Sequence, residues 1–201
     1  MIRPYRPRDR DAVAEVCVRT GDVGGDSRGR YPDPDLLPSI FALPYLEFEP
    51  QLAFVLDDGG TAVGYVLGTA DTAVFVEWFR REWLPRVASR YPPPPDPPTT
   101  TTDWMLGLLH DPERMLVPEA VADYPAHLHI NVLPGYQGAG YGRGLMTEFL
   151  HALGRAGVPR VHLGVDVRNT RARAFYDRMS FHEIPVPGMP GVTFLGRETL
   201  G

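Results

Sequence analysis

The chain has 201 residues, a hydrophobic fraction of 43% and a formal net charge of −5 at pH 7, values of an ordinary globular protein with one large domain or two small ones. The charge excludes a nucleic-acid binder held by a general basic surface, and no apolar run approaches the ~20 residues needed to span a bilayer. The opening MIRPYRPRDRD has no apolar signal region, and Cys17, the single cysteine, excludes an intrachain disulfide, so a cytoplasmic protein is expected.

Ile2 to Tyr5 can start an edge strand, and Asp9 to Val18 has helical spacing with Val13, Val16 and Cys17 on one side. Thr20 to Arg30 reads as a loop. Pro34 to Tyr45 is expected to hold a helix that Pro44 ends or bends. Leu52–Leu56 and Ala62–Gly68 flank DDGG and predict an antiparallel hairpin. Ala73 to Tyr91 is helical in pattern and aromatic. The run YPPPPDPPTTTT that follows favours extended geometry and a surface loop. Trp104 to His110 predicts one or two helical turns, and 112–124 is irregular. His127–Leu133 is a strand, Tyr141–Ala156 a helix closed by Gly157 and Pro159, Val161–Val167 a strand, Thr170–Met179 a helix and Val192–Gly196 a last strand. The order, β-α-α-β-β, a helical insertion, then β-α-β-α-β, predicts an α/β protein with a mixed central sheet of about six to seven strands flanked by helices. One domain over 1–201 is expected, with a helical and Pro-rich insertion at 71–126 before the fourth strand.

Charge is unevenly spread. Residues 135–178 hold seven Arg against three acids, a local excess of four in an acidic chain, which suits a small polyanionic ligand. The segment contains LPGYQGAGYGR, residues 133–143. Pro134 ends the strand ladder. Gly138, Gly140 and Gly142 let the backbone turn sharply, so that the unpaired N–H groups of a helix N-terminus converge on one point, a natural site for a pyrophosphate. The dinucleotide spacing G-x-G-x-x-G fails, because its third Gly would fall at Arg143. A P-loop fails because the chain has no Lys. What remains is Q-x-x-G-x-G after an apolar strand.

This block resembles the acetyl-CoA-binding motif of the GCN5-related N-acetyltransferases (GNAT). The downstream N-x-x-A-x-x-F-Y pattern is matched by Asn169, Ala172, Phe175 and Tyr176, followed by Phe181; Ser180 stands where Gly is usual. The resemblance covers 127–183 as an acetyl-CoA-binding core, and the element order extends it to the whole chain. PDPDLLPSIFALPYLEFEPQLAFVLDD, RYPPPP and LLHDPER also look like the acetyltransferase-like C-terminal domain of eukaryotic O-GlcNAcase. As a free-standing chain such a domain is expected to be bacterial.

The resemblance implies acetyl-CoA as cosubstrate and an unidentified amine as acceptor, with no metal, nucleic acid or membrane, in a monomer or homodimer. It implies that Val132 and Leu133 offer backbone groups to the pantetheine and thioester, and that Gln137, Gly138, Ala139, Gly140, Tyr141, Gly142 and Arg143 hold the pyrophosphate. Asn169, with Ala172 and Arg173, is placed along the pantetheine arm. Tyr176 is the proton-donor candidate, since a phenol ionising near ~10 can assist a thiolate that reprotonates near ~8.5. Candidates for the base are Asp166, His129 and Asp103. His127, His129 and Asp166 suggest a metal, but nothing fixes a further ligand. Among Trp78, Phe79, Trp83, Tyr91 and Trp104, one or two are candidates for acceptor-pocket walls. The alternative to an acyltransferase is a non-catalytic acetyl-CoA sensor or interaction module.

Overall fold

A computed structural model describes residues 1–200. Among these residues seven strands form a sheet in the order β1-β2-β3-β4-β5-β7-β6. The strands are β1 (Ile2–Pro4), β2 (Phe54–Asp58), β3 (Thr61–Thr69), β4 (Ala126–Val132), β5 (Arg160–Asp166), β6 (His182–Ile184) and β7 (Val192–Glu198). Neighbours are antiparallel throughout except for β4 and β5, which are parallel. DDGG makes the β2–β3 hairpin, where Asp57 Oδ1 accepts from the Gly60 N–H at 2.8 Å.

Side chains alternate across the sheet, so each face carries its own core. Val55, Tyr65 and Leu67 pack with the first half of the chain: α1 (Arg10–Thr20), α2 (Leu36–Phe41), α3 (Leu43–Phe48) and α4 (Thr72–Trp78). A π turn at Phe79–Trp83 joins α4 to α5 (Leu84–Val87); α6 (Thr101–His110) and α7 (Pro118–Val121) follow. Phe54, Leu56, Val66 and Leu128 pack instead with α8 (Tyr141–Arg155) and α9 (Thr170–Arg178). In α8, Leu145, Met146, Phe149, Leu150 and Leu153 recur at helical spacing and are fully buried. Each such burial contributes roughly 1.5–3 kcal/mol. That outweighs the roughly 1 kcal/mol lost at each of Gly142 and Gly144 in the first turn.

Several boundaries differ from the sequence expectation. The helix expected over Pro34–Tyr45 is two helices broken at Ala42 (φ −136°, ψ −63°), and Pro44 opens the second one, because the first turn needs no N–H partner there. α6 starts before Trp104 because Thr100 and Asp103 form a capping box: Thr100 Oγ1 accepts from the Asp103 N–H, and Asp103 Oδ2 from the Thr100 N–H. The 112–124 stretch contains α7, and β6 is an additional edge strand. Ser180, in place of the usual Gly, sits at φ +61° just past α9, where the Phe181 N–H bonds Tyr176 O. No helix of the described residues is long and apolar enough to cross a membrane.

Candidate functional site

β4 and β5 pair only at Ala126–Val161 and His127–His162. Beyond His127, β4 stays with β3 as far as Val132 while β5 stays with β7, so the sheet parts between them. The Leu133 N–H bonds Val63 O at 3.0 Å. Because antiparallel ladders alternate, Ile130 and Val132 therefore turn their backbone groups away from β3, into the gap. Of these, Val132 O already accepts from Gln137 Nε2 at 2.7 Å. The structure thus ties Leu133 to β3 and sets Gln137 to bracing the turn against the strand. It presents Ile130, which the motif does not mark, beside Val132.

The glycine turn lies at the same opening. Gly138 and Gly140 have φ of +81° and +84°, which side-chain-bearing residues adopt with strain. Gly140 is the N-cap of α8 and no side chain caps it. No backbone N–H from Gly138 to Arg143 finds a partner among the described residues. Six donors are thus left without a protein partner, three in the turn and three in the first turn of a 15-residue helix, at its positive end. Gly142 brings α8 against α9, since a Cβ there would lie 3.3 Å from Phe175 Cε2.

A cavity of about 810 Å³ joins the gap to the turn. Of the residues expected to hold coenzyme, Val132, Gln137, Gly138, Gly140, Gly142, Arg143, Asn169, Ala172 and Tyr176 line it. Ala139 and Tyr141 are exposed beside it. Arg173 is directed to Asp177 and Glu183, and Arg171 and Arg178 line the cavity in its stead. Asn169 Oδ1 caps α9 by accepting from the Ala172 N–H at 3.0 Å, leaving its amide N–H₂ toward the Gly24 loop. Tyr176 is buried, and burial pushes its phenol well above the ordinary value. The opposite wall comes from α1 and the loop after it, through Thr20, Gly21, Val23, Gly24 and Tyr31. Only the unusual Val23 (φ +53°) and the glycines around it mark that loop as more than a connection.

A second cavity of about 240 Å³ shares Phe41, Leu128, His129, Leu163, Gly164 and Asp166 with the first. The candidate bases differ sharply there. Asp166 accepts from Arg168 Nε and Nη2 at 2.9 and 2.6 Å and from its backbone N–H, which holds the carboxyl at about 2. Asp103 is spent on the α6 cap, with its acid held low by the N–H groups of Thr99 and Thr100, and lines neither cavity. His129 lines both, and burial lowers its pKa to about 4. Cys17 is buried and its thiol is pushed up to about 12.

His127 and His129 do not converge on an ion. Tyr45 Oη lies 2.7 Å from His127 Nε2 and 3.1 Å from His129 Nε2. Among the described residues no group of three or more His, Cys, Asp or Glu could hold a metal ion. The expected aromatic walls also lie elsewhere. Phe79, Trp83 and Tyr91 are core, with Trp83 Nε1 donating to Ser39 O at 2.8 Å; Trp78 stacks on Trp83, and Trp104 is exposed. Phe41, Met105 and Leu108 line the cavities where they were expected.

A mixed sheet that parts between two parallel strands, beside a helix N-terminus with free donors and three arginines, defines an α/β protein with a basic cleft in its sheet. The chain belongs to the acetyltransferase (GNAT) family, whose model matches residues 25–181. It is similar to the crystal structure of SsHAT, with 60% identity, a TM-score of 0.96 and coverage of 100% of this chain and 98% of that one. Rat protein O-GlcNAcase (Rattus norvegicus) is 25% identical over 200 residues, 98% of this chain; the chain spans only 22% of that relative's length. The structure of yncA from Salmonella typhimurium with its cofactor acetyl-CoA shares the fold, at TM-score 0.57 and 16% identity over 98% of this chain and 92% of that one.

Proposed function

We propose that this chain binds acetyl-CoA across the parted strands and transfers its acetyl group to an amine, as one acetyltransferase domain in which 71–126 is an insertion. The observation that carries the proposal is the row of unpartnered N–H groups from Gly138 to Arg143, of which Gly138, Gly140, Gly142 and Arg143 line the cavity at the β4–β5 gap. Those donors, with Arg143, Arg171 and Arg178, suit the pyrophosphate. Ile130 and Val132 offer strand-like partners to the amide-bearing pantetheine arm, and the Asn169 amide lies along the same path. Acetyl-CoA supplies the activated thioester. His129, neutral at pH 7, takes the proton the amine loses as the C–N bond forms. So weak a base does not deprotonate an alkylammonium, so the acceptor enters as the free amine. Burial makes the Tyr176 phenol a weaker acid than the ordinary value near ~10 expected for it, so it keeps its proton and hydrogen-bonds the sulfur as the C–S bond breaks; the coenzyme leaves as the thiolate, which takes its proton from solvent.

A second reading, a coenzyme-binding module without turnover, draws support from the scarcity of bases: Asp166 is locked to Arg168, which leaves His129 alone. One set of measurements separates the two. Calorimetry with acetyl-CoA should show binding, and its absence at millimolar ligand would sink both readings. With a panel of amines, thiol release that falls about 100-fold in Tyr176→Phe at unchanged acetyl-CoA affinity supports transfer. Binding with no release from any acceptor supports the module.

A further inference from the structure

Four side chains join the second cavity to the backbone of Pro125, and their hydrogen bonds have only one consistent direction. His129 Nε2 lies 3.1 Å from Tyr45 Oη, Tyr45 Oη 2.7 Å from His127 Nε2, His127 Nδ1 2.8 Å from Thr72 Oγ1, and Thr72 Oγ1 2.7 Å from Pro125 O. A carbonyl only accepts, so the Thr72 hydroxyl donates to Pro125 O. Thr72 Oγ1 must then receive from His127, which places the His127 proton on Nδ1. Burial keeps His127 neutral, with the neighbouring His162 and His129 adding to the effect, so Nε2 of His127 is bare and accepts from the Tyr45 hydroxyl. That hydroxyl has a single proton, and the bare imidazole nitrogen at 2.7 Å is a far better acceptor than Met115 Sδ at 3.9 Å, so its oxygen is left to accept from Nε2–H of His129. In the reverse polarity two acceptor oxygens, Thr72 Oγ1 and Pro125 O, would face each other at 2.7 Å with no proton between them.

The far nitrogen of His129 completes the picture. Nδ1 has no hydrogen-bond partner among the described residues, and the His129 side chain lines both cavities. We infer that Tyr45, His127 and Thr72 are positioning residues that hold His129 as its Nε2–H tautomer, so that the lone pair of Nδ1 is the one presented to the cavity. Its use as the base for acetyl transfer rests on the reading given under Proposed function; the tautomer itself does not. The arrangement uses residues distant in sequence: Tyr45 and His127 are 82 positions apart.

The test is the long-range ¹H–¹⁵N spectrum of the imidazoles in ¹⁵N-labelled protein at pH 7, with His129→Gln and His127→Gln assigning the two signals. The expected result is a protonated Nε2 and bare Nδ1 for His129, and the opposite for His127. Tyr45→Phe keeps the ring stacked on Phe75 (centroids 4.3 Å apart) and removes only the hydroxyl; it should turn the single His129 tautomer into a mixture. If that variant does not fold, Thr72→Val removes the anchor at the other end and should make His127 mixed. A proton on Nδ1 of His129 in the unaltered protein, or pure tautomers that survive the substitution, would overturn the inference. Where acetyl transfer is measurable, Tyr45→Phe should lower kcat and leave the KM for acetyl-CoA unchanged. Tautomers as expected in a protein that transfers nothing would overturn the reading of His129 as the base and leave this assignment standing.

Discussion

Gly140 offers a way to separate shape from charge at the proposed phosphate site. Its φ of +84° lies in the left-handed region, and a Cβ built there meets nothing within 4 Å. A substitution therefore strains the backbone, by about 1–2 kcal/mol, without a steric clash. Asn and Asp share that strain, tolerate the left-handed region better than other residues, and are nearly the same size. Gly140→Asn and Gly140→Asp should melt alike, both below the unaltered protein. They should differ in affinity for acetyl-CoA. A carboxylate about 6 Å from one phosphate charge is repelled by about 0.7 kcal/mol in a water-like medium and about 2.8 kcal/mol at an effective dielectric constant of about 20. That is a loss of about 3-fold to 100-fold relative to Asn. Calorimetry at two salt concentrations reads it, and the gap should narrow at higher salt. Equal affinities for the two variants at low salt would show that the pyrophosphate does not lie at this turn.

Two further outcomes concern stability. His127 and His129 are both held below the ordinary imidazole value by burial, His129 to about 4. Between about 6.5, the unfolded value, and about 4 the unfolded chain binds more protons than the folded one, so stability is fully present above about 6.5 and falls as the pH drops through that window. Thermal melts from pH 7 to 4.5 should show the decline, and His129→Gln should flatten it; a melt no steeper in the unaltered protein than in the variant would refute the burial argument. Ser180 occupies a left-handed C-cap at φ +61°, so Ser180→Gly should stabilise the protein by about 1 kcal/mol; an unchanged or lowered urea midpoint would contradict this.

The parts of the fold legible in the sequence are those with local causes. Helical periodicity in α8, the DDGG hairpin and the glycine spacing after β4 all act within a few residues, so the element order and the turn at Gly138–Gly142 are read directly. Boundaries failed where capping or proline geometry decided them, as at Ala42 and Thr100. The proposed acceptor side of the site is not legible, because it consists of contacts between distant segments. The parting of β4 from β5 after His127 follows from which strand each one continues to pair with. Asp166 looked like a free carboxylate at a strand end, and only the folded loop puts the Arg168 guanidinium on it. Nothing in the sequence marks Tyr45, at the end of the expected Pro34–Tyr45 helix, or Thr72, just before the one expected from Ala73. Sequence alone determined a glycine-rich turn between a strand and a helix in an α/β chain. The tertiary structure decided which side chains meet at the opening, because a hydrogen bond between residues 82 apart leaves no periodic or compositional trace.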